Sequence, residues 1–255
     1  MHTKRLYKQI VSATIFFGVI IFIIVVPTWF MQRQSRPAAS PTPTPAFLPI
    51  TVEEVSLLRH SDRMDLVARL NNPNPRAGVA DYTLTFNIFD ATGNLIDSIT
   101  KSSYVLPGSL QYIVVLDQPI KPGVASVVAN PPSDPLFTAF PPAITLPQFS
   151  TYLLQRTPKL VGNQTVEEQK GNVTNTSTFD WQRVEVIAIA FSADNKPVSV
   201  GSTFVGTLRV QEQREFTLQW PMPPQPTQHV VTFATTNIFK DENVLKALGH
   251  PATLR

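Results

Sequence analysis

The chain of 255 residues has no cysteine, only ten glycines, and charged side chains at 15% of its positions. Without cysteine there are no disulfide bonds, no thiolate metal ligands and no cysteine nucleophile. The few glycines form neither a phosphate-binding loop nor a Gly-x-Ser-x-Gly motif. A folded domain of this chain must therefore be stabilised by its apolar core and its backbone hydrogen bonds.

Positive charge is concentrated at the N-terminus. Residues 1–36 contain five lysines and arginines and no acidic residue, and without these five charges the formal net charge of +3 becomes −2. A nucleic-acid-binding domain needs a basic surface of its own. We therefore expect no nucleic-acid partner.

Residues 10–30 contain no charged side chain. A helix of this length, at about 1.5 Å per residue, spans a hydrocarbon core of about 30 Å. Lys4, Arg5 and Lys8 precede the run, which predicts a cytoplasmic N-terminus, and Trp29 suits the far interface. The alternatives are a cleaved signal peptide, for which the run is long, and a buried core helix, which would have a polar face. The prediction is a single-pass signal anchor in the cell membrane, with the downstream domains extracytoplasmic.

Beyond a proline-rich spacer at residues 37–49, strand patterns predominate. In residues 81–90, Tyr82, Leu84, Phe86 and Ile88 alternate with polar residues, which is typical of a half-buried strand. Residues 180–220 repeat this layout of long strand, turn and further strands. With Ser192 placed under Asp90, the alignment runs without a gap and puts Val186 under Leu84 and Leu218 under Leu116. The sequence thus predicts an all-β chain of two tandem antiparallel β-sandwich domains after a single transmembrane helix.

The predicted organisation has seven segments. They are a cytoplasmic tail (1–9), the signal anchor (10–30), a Pro/Thr-rich linker (31–49), a first β-sandwich module (50–130), a Pro-rich connector (131–147), a second module (148–240), and a C-terminal helical turn with a tail (241–255), the turn being capped at Asp241.

Two motifs in residues 50–120 resemble the FxLYD and LEA14-like (water-stress and hypersensitive-response) modules. Asn72, Pro73 and Asn74 match the Asn-Pro-Asn that follows an early strand in those modules. Phe86, Ile88, Phe89 and Asp90 stand where that family has Phe, Leu, Tyr and Asp. The second copy departs from the pattern, with Asn175-Thr-Ser in place of Asn-Pro-Asn. The resemblance implies a fibronectin-III-like sandwich in membrane-tethered extracytoplasmic proteins and no catalytic residues.

A search for chemistry in the sequence finds no catalytic, cofactor-binding or metal site. The four histidines are not spaced as metal ligands, and we expect His60 to be a solvated loop residue. Neighbouring residues of a strand face opposite ways, so Glu53-Glu54 and Glu167-Glu168 are not expected to converge on a substrate. Trp181 and Trp220 are expected in the core or between sheets.

These observations favour a non-enzymatic protein that binds another protein or an envelope polymer through its modules. The alternative is a structural or accessory subunit recruited into a membrane complex through its transmembrane helix. The sequence predicts no cofactor for either function.

Overall fold

The structure is a computed structural model that describes residues 47–141, 145–223 and 225–245. The predicted tail, signal anchor and most of the linker lie outside the described residues, as do Lys4, Arg5, Lys8 and Trp29. Within the described ranges, no helix is long and apolar enough to cross a membrane.

The described residues form β-strands and one short 3-10 helix, which confirms the predicted all-β class. We call residues 47–141 the first half and residues 145–245 the second half. The first half contains β1 (Thr51–His60), β2 (Arg63–Asn71), β3 (Ala77–Asp90), β4 (Leu95–Val105), β5 (Leu110–Pro119), β6 (Val124–Asn130) and β7 (Phe137–Ala139). The second half contains β8 (Phe149–Val161), β9 (Gln164–Asn175), β10 (Asp180–Phe191), β11 (Pro197–Leu208), β12 (Gln213–Pro221), β13 (His229–Thr235), the 3-10 helix (Asp241–Asn243) and β14 (Val244–Leu245).

The two halves have the same sheet topology, and all their strand pairs are antiparallel. In the first half, β1-β2-β5 form one sheet and β4-β3-β6 the other, and β7 also pairs with β3. In the second half, β8-β9-β12 and β11-β10-β13 repeat this arrangement, and β14 also pairs with β10. Each half is therefore a sandwich-like pair of sheets.

Two segments that the sequence assigns to a connector and to a tail each contribute a strand. β7 lies within residues 131–147, where Phe137–Ala139 is free of proline and can donate backbone hydrogen bonds to β3. β14 takes the same place beside β10. The predicted cap at Asp241 is wrong, because Lys240 is the N-cap of the 3-10 helix and makes no side-chain capping bond.

Each half has its own apolar core between its two sheets. In the first half, one face of β2 and one face of β3 supply most of the buried side chains: Met64, Leu66, Ala68, Leu70, Tyr82, Leu84, Phe86 and Ile88. In the second half, β10 and β12 do the same with Trp181, Val184, Val186, Ala188, Ala190, Phe216, Leu218 and Trp220. The predicted burial of both tryptophans is confirmed.

A third apolar cluster joins the two halves, which belong to one compact unit. Leu58, Val67 and Val114 of the first half pack with residues of the second half, which are Ile187, Ile189 and Val200. The outer face of sheet β1-β2-β5 thus packs on the outer face of sheet β11-β10-β13, giving four layers of sheet. Strands β2 and β10 are buried on both faces, as the nearly continuous apolar sequence of residues 184–191 requires.

The internal repeat is real, but its predicted gap-free register is wrong. Leu84 and Val186 occupy corresponding core positions, as the alignment predicts. Leu218, however, lies in the core of the second half, whereas Leu116 packs against the cluster between the halves. Because alternate residues of a strand face opposite ways, the alignment shifts by one residue before β12.

The long hairpin of β8 and β9 is not predicted from the sequence. The residues of β9 that face inward include Glu167, Gln169 and Gly171, and all three are buried. Polar residues on the buried face remove the period-two hydrophobic pattern that identifies a strand.

Candidate functional site

The Asn-Pro-Asn segment forms a buried corner between the sheets of the first half. The side-chain amide of Asn72 donates from Nδ2 to the carbonyl oxygens of Ala77 at 2.7 Å and Leu106 at 2.8 Å. Its Oδ1 accepts from the backbone N–H of Asn74 at 3.1 Å and from Asn74 Nδ2 at 2.9 Å. Asn72 therefore joins three backbone segments, which is a structural role.

Asn175 makes the corresponding bonds in the second half. Its Nδ2 donates to the carbonyl oxygens of Phe179 at 2.8 Å and Leu208 at 3.1 Å, and its Oδ1 accepts from the N–H of Ser177 at 3.0 Å. Ser177 Oγ in turn accepts from Trp181 Nε1 at 2.7 Å, so the corner is tied to the core. The correspondence of Asn72 with Asn175, which the sequence suggests, is therefore present in three dimensions.

Asn74 holds the end of the linker against the first half. Its Oδ1 accepts from the N–H of Leu48 at 2.8 Å, and its Nδ2 donates to the Leu48 carbonyl at 2.8 Å. In the second half a backbone hydrogen bond takes this place, because Thr176 N–H donates to the Gln148 carbonyl at 2.9 Å. Proline at position 73 has no N–H, and the side chain of Asn74 replaces that bond.

The second motif divides between core and turn. Phe86 and Ile88 are fully buried, Phe89 is half-buried on the opposite face, and Asp90 lies in the turn between β3 and β4. Hydrogen bonds from Thr92 and Asn94 lower the pKa of Asp90 to about 2. Ser192 closes the equivalent turn of the second half.

The predicted motif residues therefore build the scaffold, while a polar cleft of about 480 Å³ opens between the halves. Its floor is the outer face of sheet β11-β10-β13. Its wall is formed by residues 101–104 of β4 and by Ala80 and Asp81 of β3. Its lining includes charged, hydroxyl-bearing and aromatic side chains: Asp81, Lys101, Ser102, Tyr104, Arg183, Glu185, Phe204, Thr235, Lys240 and Glu242. It is a concave site between two packed units, where ligands commonly bind.

Glu185 is the most unusual residue of the cleft. Burial raises the pKa of Glu185, and the nearby charges of Lys101 and Arg183 lower it by less. Among the described residues, its carboxylate has no hydrogen-bond or ion-pair partner. A partly desolvated carboxylate without a donor is costly, and such groups mark candidate functional sites.

Two aromatic contacts shape the cleft around Glu185. The guanidinium of Arg183 lies 3.6 Å from the ring centroid of Phe204, a cation–π contact that fixes its plane. The Tyr104 hydroxyl lies 3.1 Å from Thr235 Oγ1 and links the wall to the floor. Burial raises the pKa of the Tyr104 hydroxyl, which is therefore neutral at physiological pH.

A smaller crevice of about 240 Å³ lies elsewhere between the halves and includes His60 and Asp65. The expectation that His60 is a solvated loop residue is wrong: its side chain is 6% exposed, and its Nε2 lies 2.9 Å from Asp65 Oδ2. The physical reason is that β1 extends to His60 and the turn after it is short, so the imidazole stays in the sheet. Asp65 Oδ1 also accepts from the N–H of Asp117 at 2.7 Å, so this pair braces the β2–β5 contact.

The two adjacent glutamates of β9 do face opposite ways. Glu167 is buried and accepts from Trp220 Nε1 at 3.0 Å, whereas Glu168 bonds to Lys159 and Gln219. In the described ranges, no group of three or more histidines and acidic residues could hold a metal ion. The cleft offers charged side chains, hydroxyls and one aromatic ring to a ligand.

Comparisons add no family assignment: no family model matches the chain, and no curated protein matches it significantly. Sequence reasoning missed the cleft because its residues come from distant strands. One signal was available, however: Glu185 is the single charged residue in the apolar stretch at 184–191.

Proposed function

We propose that the protein is a non-enzymatic binding protein of the cell envelope. It is anchored by residues 10–30 with its N-terminus in the cytoplasm, and it presents two tandem sandwich domains of the immunoglobulin and fibronectin-III type outside the membrane. A protein or an envelope polymer binds in the cleft between them. The FxLYD and LEA14-like resemblance of residues 50–120 supports this proposal, since it implies membrane-tethered extracytoplasmic modules. The shared topology and asparagine corner of the two halves support the tandem arrangement.

The observation that carries the proposal is the unpaired, partly buried carboxylate of Glu185 in an open cleft. A partly desolvated carboxylate without a hydrogen-bond donor destabilises the free protein, and a ligand that donates to it removes that cost. A nucleophile and a general base in contact would favour catalysis, and among the described cleft residues there is no such pair.

Photo-crosslinking of the full-length chain in its own membranes tests this proposal. A photo-crosslinking amino acid at Ser102, in the cleft wall, should yield a discrete adduct. The same amino acid at Thr217, on the exposed face of β12, is the matched control and should yield none. Equal labelling at both positions would contradict binding by the cleft. Loss of the adduct when residues 10–30 are replaced by a foreign transmembrane segment would contradict it as well. A reporter that placed the C-terminus in the cytoplasm would contradict the orientation.

A further inference from the structure

Three of the sheet edges in the described residues carry groups that limit pairing with other chains. Arg59 donates to the carbonyl oxygens of Val124 and Ala125 on β6, and Arg214 Nη1 donates to the Gly206 carbonyl on β11 at 3.0 Å. Pro158 interrupts the hydrogen-bonding capacity of β8, which pairs only with β9. Charged caps and proline on edge strands prevent unwanted pairing with other chains.

Strand β4 borders the cleft without a proline or an arginine cap, and Lys101 is the one charged residue of its segment 99–103. It is an edge strand that pairs only with β3. In the described part of the chain, no side chain hydrogen-bonds to its backbone between residues 99 and 103. Lys101 and Ser102 of this segment are exposed and line the cleft. A proline-free sheet edge that opens into a cleft is the geometry that strand addition uses, and Lys101 favours a partner segment of low positive charge.

The floor beside this edge presents a row of side chains on one face of the sheet. Glu185 lies directly opposite Phe204 on one neighbouring strand and opposite Thr235 on the other. Two residues along, Arg183 lies opposite Gly206, where a Cβ would meet no atom within 4 Å. The floor therefore has Glu185 beside Phe204, whose ring is covered on one face by the Arg183 guanidinium, and then open space beside Gly206.

We infer that the cleft binds an extended peptide segment of a partner protein, which adds as a strand along β4 and places a lysine or arginine against Glu185. This inference rests on the proposed function and specifies its ligand. Alternate side chains of an added strand point to the floor, so one basic residue reaches Glu185 while the backbone pairs with β4.

The charges of the cleft favour a single basic residue over a polycation. Three carboxylates (Asp81, Glu185 and Glu242) and three cations (Lys101, Arg183 and Lys240) line it, and none of the six forms an ion pair within the described ranges. The cleft is thus formally neutral, and a run of lysines would meet three like charges. An isolated lysine or arginine among uncharged residues fits best.

Calorimetric titration of the full-length chain in lipid nanodiscs tests the inference with two probe peptides. Both are acetylated and amidated heptapeptides of alternating threonine and valine, with lysine at the centre of one and uncharged norleucine at the centre of the other. The lysine peptide should bind about tenfold more tightly, which is the usual effect of a charge-assisted hydrogen bond. Glu185→Gln should abolish this preference, whereas Glu215→Gln on the exposed face of β12 should preserve it.

Hydrogen exchange on the same complex tests strand addition. Bound peptide should slow amide exchange in residues 95–105 and leave residues 197–208 of β11 unchanged. Equal affinity for both peptides, or no protection of β4, would overturn the inference. Binding that appears only after residues 246–255 are deleted would assign the cleft to this chain's own C-terminal segment and overturn it as well. A specific Ser102 adduct together with any of these three results would leave the proposed function standing, whereas loss of that adduct would refute both proposals.

Discussion

Asn72 and Asn175 stand at the same corner of the two halves and make the same hydrogen bonds. Each amide donates to two backbone carbonyls and accepts from the backbone N–H two residues further along the chain. Both side chains are buried. A buried amide with this many partners cannot be replaced by another side chain without leaving polar groups unpaired.

Asn72→Ala and Asn175→Ala should each lower the free energy of unfolding by about 2–4 kcal/mol, because each leaves two buried carbonyls without a donor. Chemical denaturation of the full-length chain measures this. Asn130→Ala, at an exposed position of β6, is the control and should change stability by less than about 0.5 kcal/mol. A loss below about 1 kcal/mol for both corner variants would show that water replaces the amide.

Asn74→Ala should release the end of the linker without unfolding the first half. The N–H of Leu48 loses its acceptor, Asn74 Oδ1, while the corner bonds of Asn72 to Ala77 and Leu106 remain. The Leu48 amide should exchange with deuterium at least about tenfold faster, as expected for local opening. Asn163→Ala in the β8–β9 turn serves as the control. Unchanged exchange at Leu48 would mean that the phenylalanine contact between Phe47 and Phe137 holds the linker instead.

Val67→Lys should uncouple the two halves. Val67 lies in the cluster between them, and Lys170 occupies the corresponding place on β9, where the face is open to solvent. Burying a lysine there costs about 2–4 kcal/mol. Both described tryptophans, Trp181 and Trp220, are in the second half, so tryptophan fluorescence and circular dichroism should report separate unfolding transitions. Lys170→Val should leave the transitions coincident, and coincident transitions in Val67→Lys would contradict the coupling.

Tyr82→Phe should leave stability unchanged or raise it by up to about 1 kcal/mol, because the buried Tyr82 hydroxyl has no hydrogen-bond partner among the described residues. Burial raises the pKa of Tyr82 to about 12. The Tyr82 hydroxyl stays protonated to a higher pH in the folded state than in the unfolded state. Its contribution to the free energy of unfolding is therefore complete below pH 10 and is lost as the pH rises towards 12. Denaturation between pH 8 and 11 should show a smaller alkaline loss for Tyr82→Phe than for Tyr152→Phe, which alters an exposed tyrosine. An identical alkaline loss in both would contradict the burial effect.

Much of the architecture could be predicted from local patterns. Clean alternation identifies β3, and the shared turns at Asp90 and Ser192 reveal the repeat. Where the buried face is polar, as at Glu167 and Gln169, the pattern disappears and the hairpin of β8 and β9 goes unpredicted. The cleft could not be predicted either, since Lys101 and Glu185 line one cleft only when one half packs on the other.

The sequence by itself determined the strand class, the duplicated topology and the residues that share a strand face. It also carries the predicted anchor, which rests on the uncharged run at residues 10–30 and the cations before it. Only the tertiary structure decided which faces are buried: Val67 and Lys170 occupy corresponding places on β2 and β9, yet Val67 is covered by the other half and Lys170 is exposed. Which face is buried depends on how whole sheets stack. The same stacking places Glu185, a residue of an apolar strand, on the floor of the cleft.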